Sequence, residues 1–399
     1  MRMNFTLQQA AALVASIGVI GVGWHMGTTA AVSSSANSIS IHLDLPEKKI
    51  TGTWDQKAAA SYLDRRLDWW MDWPKAQRDH QTFCVSCHTA VPYALSRPSL
   101  RKALAEQAPS PNERRLLDNV TKRVRLWKEV APFYADADRG AYKTVESRGT
   151  ESVLNALILA SRDAQNGQLT ADTRTALDNM WAEQQTTGDK EGAWLWLRFN
   201  NEPWEADDSD FYGATLAAVA IGSAPGNYLA TPGIQDNIGM LREYLSRKSA
   251  SQSSLNHAAL LWAAAKLPGL IDPYRQKALI VELLQKQQAD GGWSSSALMR
   301  DWKRSDGTAQ EEKSDGYSTG LITFALQQAE LPPDNEQLKQ GIAWLTANQD
   351  KIDGCWPAYS LNKNKEHHIS PETALFMNDA ATSYAVLALT TDSNRHPSR

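Results

Sequence analysis

Cysteine is nearly absent from this chain, with three among 399 residues. So few cannot staple a body of this length, which excludes a disulfide framework as the main source of stability. An excess of one charge is missing too: 41 Lys and Arg stand against 45 Asp and Glu, for a net charge of −4. That balance leaves no basic footprint, and no nucleic-acid partner is expected. Long apolar runs are equally scarce. The run from Ala10 to Val22 is short for a membrane crossing, and no second stretch is long enough to span a bilayer. Phenylalanine occurs 7 times, whereas tryptophan occurs 15 times. Tryptophan in such number points to a structural position that recurs.

The apolar run follows a single arginine, Arg2, and precedes small residues at Thr29 to Ala31 and Ser34 to Ala36. This is the layout of a secretory signal peptide over residues 1–31, cleaved near Ala31 or Ala36. An uncleaved inner-membrane anchor is the alternative, since the run extends to Trp24 and Met26 without meeting a charge. The membrane is a partner only in that case. Either way the folded body is periplasmic or otherwise exported. Residues 32–48 read as a linker, 49–391 as one domain and 392–399 as a disordered tail.

Three segments share one order of features. Gln185 to Leu216 contains Glu191-Gly192-Ala193-Trp194, Gln288 to Leu326 contains Asp290-Gly291-Gly292-Trp293, and Gln349 to Leu389 contains Asp353-Gly354-Cys355-Trp356. Each has a glutamine closing an amphipathic helix, a Gly and Trp turn, a variable loop, an acidic residue and a second helix of small and apolar residues. Recurrence of one order of features marks a helical array. Asp172 to Gln185, Asp236 to Ser246 and Tyr274 to Gln288 carry charge on one face, as outer helices do. Ser152 to Ala160, Gly213 to Ile221, His257 to Ala265 and Ala380 to Leu389 are apolar on nearly every side and read as inner helices. Pairing them, with Ala58 to Trp70 before Thr89 to Ala105, Glu113 to Val130 before Glu151 to Ser161, and Asn335 to Ala347 before the last, gives six hairpins. The expected fold is all-α: an αα-toroid, or (α/α)6 barrel.

The most specific local signal is Cys84-Val85-Ser86-Cys87-His88. In this spacing two thiols add across the two vinyl groups of haem, and the adjacent imidazole becomes the proximal ligand of iron. Covalent haem c is therefore the expected cofactor, held by Cys84, Cys87 and His88. A Cys84 to Cys87 disulfide, or half of a zinc site, uses the same residues.

The segment Gln288 to Trp293, reading QADGGW, resembles the QW repeat of squalene-hopene cyclases and the related prenyltransferase and squalene oxidase repeat proteins. Gln349 to Trp356 and Gln185 to Trp194 are looser copies. It implies a terpenoid cyclase-like toroid. Those cyclases protonate an alkene with an aspartate in a DxDDTA motif, whereas Asp207-Asp208-Ser209-Asp210 here precedes Phe211-Tyr212. The acid is not carried over, and a shared fold does not transfer a reaction. Asp353-Gly354-Cys355 is similar to the Asp-x-Cys that helps hold zinc in protein prenyltransferase β-subunits. Zinc on Cys355 with His367 or His368 is the corresponding alternative.

Because helices alternate direction, every loop from an outer to an inner helix should emerge on one rim. Cys84 to His88, Glu146 to Glu151, Trp194 to Asp210, Trp293 to Asp315 and Trp356 to Asp379 should then surround one mouth. The loop Pro357 to Asn378 offers His367, His368 and Met377 as a sixth iron ligand, with Met71 and His80 as local alternatives. Asp208, Asp210, Asp315 and Asp379 are candidate catalytic acids, although a carboxylate at a helix start also serves as a cap. Trp196, Trp204, Trp302, Tyr212, Tyr317 and Tyr359 are candidates to line the mouth around a small, hydrophobic ligand. Two functions follow: a haem-binding redox protein or oxidoreductase with a redox partner protein, or a non-redox cyclase-like or lyase-like enzyme or binding protein. Iron separates them.

Overall fold

The computed structural model describes residues 53–130, 140–299, 301–364 and 370–395. The signal-peptide and linker readings, like His367 and His368, fall outside the described residues. Within them the chain is all-α, apart from one short hairpin of β1 (Gln77–Arg78) and β2 (Thr82–Phe83).

Thirteen α-helices occur among the described residues. They are α1 (Gln56–Asp72), α2 (Ala90–Ala103), α3 (Pro111–Arg125), α4 (Gly140–Asn166), α5 (Ala171–Ala182), α6 (Ser209–Ser223) and α7 (Gln235–Lys248). The series continues with α8 (Ser254–Lys266), α9 (Pro273–Gln285), the single-turn α10 (Ser295–Leu298), α11 (Gly316–Gln328), α12 (Glu336–Ala347) and α13 (Phe376–Arg395). Local chemistry sets many starts. Asp55, Thr170, Asp272 and Asn335 each accept a bond from the backbone amide three residues on, and Ser110 with Glu113 forms a capping box. These helices keep a charged face in solvent.

By contrast α6 is buried from Ser209 to Ile221 and α11 from Gly316 to Gln327. Such helices need neighbours on every side, and they have them. In packing order α2 lies on α4, α4 on α6, α6 on α8, α8 on α11, α11 on α13, and α13 returns to α2. The second set covers the first: α1 packs on α2 and α13, α3 and α5 on α4, α7 on α6, α9 on α8, and α12 on α11 and α13.

The three Gly and Trp turns share one hydrogen-bond plan. Trp194, Trp293 and Trp356 are each 0% exposed, and their Nε1 atoms donate back to Met180, Leu283 and Leu345 carbonyls at 2.6, 2.7 and 2.7 Å. A glutamine then joins the turn to the next outer helix. Gln184 Nε2 donates to Gly192 and Asn237 carbonyls, Gln287 to Gly291 and Gln337, and Gln349 to Gly354 and Asp55. The last of these reaches the start of α1, which links the final turn to the first helix. In two of three copies the bridging residue is one position before the glutamine expected from the sequence, because Gln185 and Gln288 pair through backbone with Ala193 and Gly292 instead. Gly354 has φ 81°, and a Cβ there would lie 2.4 Å from the Ala58 carbonyl oxygen, so the turn fits against α1 only with glycine.

One expectation is overturned. Glu146 to Glu151 lies inside α4, which begins at Gly140 and not at Glu151. The polar ESRGTES stretch has the composition of a loop, but Gly149 has another use: a Cβ there would lie 2.1 Å from the Leu195 carbonyl oxygen. Glycine admits a neighbouring chain at a small helix penalty, about 1 kcal/mol.

Candidate functional site

The segment between α1 and α2 is fixed before it reaches the cysteines. Asn119 on α3 clamps Phe83, accepting from its amide at 2.8 Å and donating to its carbonyl at 3.0 Å. The Cys84 amide donates to the Ala76 carbonyl at 2.8 Å, and Trp70 Nε1 donates to the Cys84 carbonyl at 2.7 Å. Ser86 Oγ accepts from the Ala90 amide at 3.0 Å, starting α2 directly after His88. All three cysteines are free thiols. Burial pushes the Cys84 and Cys87 thiols above the ordinary range, so both stay protonated at neutral pH.

His88 is 3% exposed and is boxed by aromatic rings. Phe376, the first residue of α13, stacks on it with centroids 3.7 Å apart, Trp70 meets it edge-on at 5.0 Å, and Trp204 lies at 5.7 Å. Burial, with Arg66 nearby, lowers its pKa to about 3, so the ring is neutral. Nδ1 is 2.8 Å from Thr89 Oγ1, and Thr89 Oγ1 donates to Asp379 Oδ2 at 2.7 Å. With its proton committed to Asp379, the Thr89 hydroxyl accepts from Nδ1, which makes Nε2 the bare nitrogen. Asp379, 1% exposed, is held by Arg66 through both carboxylate oxygens at 2.7 and 3.0 Å and by the Tyr62 hydroxyl at 2.9 Å. Four elements thus fix one imidazole.

The acids expected at the other inner-helix starts are also engaged, Glu151 from within α4. Glu151 is bound twice by Arg123, and Asp210 by Lys190 and Arg198 at 2.7 and 3.0 Å. Asp315 accepts from the Ser295 and Ser318 amides at 2.7 and 2.9 Å, and burial raises it to about 6. Each carboxylate has a structural partner. Asp208 stands at the start of α6, its pKa raised by burial.

Three outer-to-inner connections interlock beside this segment. Glu202 and Asn362 exchange bonds at 2.9 Å each, Trp302 Nε1 donates to the Leu361 carbonyl at 2.9 Å, and Arg66 Nη2 donates to the Glu372 carbonyl at 3.0 Å. Between them the candidate lining residues fall into two groups. Trp204, Tyr212 and Tyr317 are 1%, 4% and 1% exposed and pack together with Tyr384. Trp196 is wholly buried, its Nε1 donating to the Trp204 carbonyl at 2.7 Å, and its ring fills the space over Gly213. Trp302 and Tyr359 are half-buried, with Lys313 Nζ 4.9 Å over the Tyr359 ring.

Met377 is 4% exposed in the core, Met71 is 0% exposed, and His80 stands part-exposed beside Asp79. Cys355 is buried, 3.9 Å from Asn378 Nδ2. Among the described residues no three His, Cys, Asp or Glu side chains converge as a metal-binding group, and no helix is long and apolar enough to cross a membrane. Sequence reasoning missed Phe376, Thr89, Arg66 and Tyr62. The only signal for them was Asp379 at a helix start, which does not reveal which cation meets it.

No protein-family model matches this chain, and no curated protein matches it.

Proposed function

We propose that this chain is an exported αα-toroid of six hairpins that carries one c-type haem on Cys84, Cys87 and His88 and works as a redox protein. The observation that carries the reading is the state of His88: neutral, with Nδ1 anchored through Thr89 and Asp379 to Arg66, and with Nε2 making no hydrogen bond to any described residue. A metal-binding histidine needs this second layer, since the partner on one nitrogen sets the tautomer and aims the other. The donors fit the group. Two reduced thiols flank the imidazole at the required spacing.

The space is tighter than the donors. With His88 3% exposed, seating a macrocycle requires its aromatic cover to move, and half-buried Phe376 at the end of a long loop is the piece with somewhere to go. Haem, when attached, supplies one-electron chemistry. The chain's own groups orient the proximal imidazole, exclude water and hold a buried carboxylate charge against Arg66. In this reading the sixth ligand comes from the same loop, from Met377, His367 or His368, and a partner protein exchanges electrons at that rim. The toroid rests on the closed packing order of α2, α4, α6, α8, α11 and α13 and on the repeated turns.

The test is the visible spectrum of the protein made in a host with cytochrome c maturation, followed by denaturation. Colour that stays with the chain, and is lost in Cys84→Ala with Cys87→Ala while the helical far-UV signal remains, is the expected result. A colourless protein from that host sinks the proposal.

A further inference from the structure

The inner helices also meet at their other ends. There they line an open pocket of about 390 Å³ to which all six contribute. The volume is within the range of small-ligand sites, roughly 300–1,000 Å³. Its wall mixes apolar side chains, Leu95, Val219, Trp262, Phe324 and Leu387, with polar ones. Serine and threonine hydroxyls, among them Ser161, Ser223 and Thr390, stand between them.

Among the described residues one charge lines this space. Lys266, in the last turn of α8, is more buried than exposed, and its ammonium has no hydrogen bond or ion pair among the described residues. Burial lowers its pKa, and nothing nearby offsets the cost. Helix C-termini carry partial negative charge, which could neutralise a lysine and repel an anion. Here several of the last carbonyls are already spoken for. Ile221 accepts from the Ala224 amide, Ala263 from Leu267, and Ala325 from Ala329. The ammonium is therefore the strongest uncompensated charge facing the cavity.

We propose that this cavity binds a single-chain amphiphile with an anionic head, the head pairing with Lys266 and the chain lying among Val219, Trp262, Phe324 and Leu387. The site is independent of the cysteine segment, which belongs to the opposite ends of the same helices. A fatty carboxylate and a single-chain phosphate ester share this chemistry, and the probes separate them.

The experiment is calorimetric titration of the full chain with decanoate, decyl phosphate, decanol and decyltrimethylammonium below their micelle concentrations, with Lys266→Met and Ser223→Trp as variants. Binding of one equivalent of decanoate or decyl phosphate is expected, weakened about tenfold or more in Lys266→Met, as for loss of one charge-assisted pair, and abolished in Ser223→Trp, which fills the cavity. The better anion names the head group. Far-UV and melting measurements show that each variant folds. Equal affinity for decanol, tighter binding of the cation, or unchanged binding in Lys266→Met overturns the proposal. So does failure of both anions to bind. Binding that persists in Cys84→Ala with Cys87→Ala separates this result from that of the haem test.

Discussion

The two ends of the inner helices are built on opposite rules. At the amino ends, space is filled and charge is matched: His88, Trp204, Tyr317 and Tyr384 are each at most 3% exposed, and Asp210 and Asp379 have bound cations. At the carboxyl ends a pocket of about 390 Å³ remains, and among the described residues its one charged residue, Lys266, has no ion pair. The same six helices make both. A buried charge is costly unless paired, so the matched end is organised to hold one imidazole in place, while the unmatched end is organised to receive something from outside.

Removing bulk should separate the ends most sharply. Trp204→Ala deletes a ring packed between His88 and Tyr317 and should cost about 3–5 kcal/mol in denaturant unfolding. Ser161→Val adds apolar volume at the hollow end and should change stability by about 0.5 kcal/mol or less. Comparable losses in both variants would mean that the two ends are packed alike. Charge gives the next contrast. Asp379→Asn keeps the shape but leaves Arg66 without its counter-ion, and a loss of about 3 kcal/mol is expected. Lys266→Met has no pair to break and should leave the unfolding midpoint unchanged or raise it. A midpoint for Asp379→Asn within error of wild type would show that the relay behind His88 is unstrained by loss of its charge.

Between the ends lie the turns that order the helices, and they test closure. Gln349 joins the last turn to Asp55 as Gln287 joins its turn to Gln337. If the array closes, Gln349→Ala and Gln287→Ala should cost the same, about 1–3 kcal/mol each, because both leave buried carbonyls unpaired. A negligible loss in Gln349→Ala alone would mean that the first and last hairpins are joined in name only.

Much of this frame was legible because it repeats. Outer helices showed a charged face, inner helices such as Gly213 to Ile221 showed none, and Trp293 stood in a turn whose copies at Trp194 and Trp356 could be aligned by eye. Boundaries failed where one residue served two purposes. Gly149 reads as a break and is a close contact inside α4. The site was half legible. Cys84, Cys87 and His88 are adjacent in sequence, so their spacing carries their chemistry, but Arg66, Thr89, Phe376 and Asp379 meet only after the chain closes across some three hundred residues. The carboxyl-end cavity left no trace, since it is lined by one turn from each of six helices and no motif spans it.

Glu202 is a carboxylate at the matched end without a cation and gives the finest test. It is 2% exposed, it makes no ion pair among the described residues, and one carboxylate oxygen has no hydrogen-bond partner. Burial, with Asp208 and Asp207 adding repulsion, raises its pKa to about 8 from an ordinary value near 4.5. The folded state therefore holds a proton that the unfolded chain releases between those values. More protons bound in the folded state means that stability falls as pH rises through this window, by at most about 1.4 kcal/mol per pH unit. Glu202→Gln keeps the neutral shape and removes the titration. Its stability relative to wild type should rise by about 1 kcal/mol between pH 6 and pH 7 and level off above pH 8, once the wild-type carboxyl is ionised in both states. A difference that stays flat from pH 5 to pH 8 would mean that Glu202 is ionised throughout, with a cation or water supplying the missing partner, and that its charge is matched like that of Asp379.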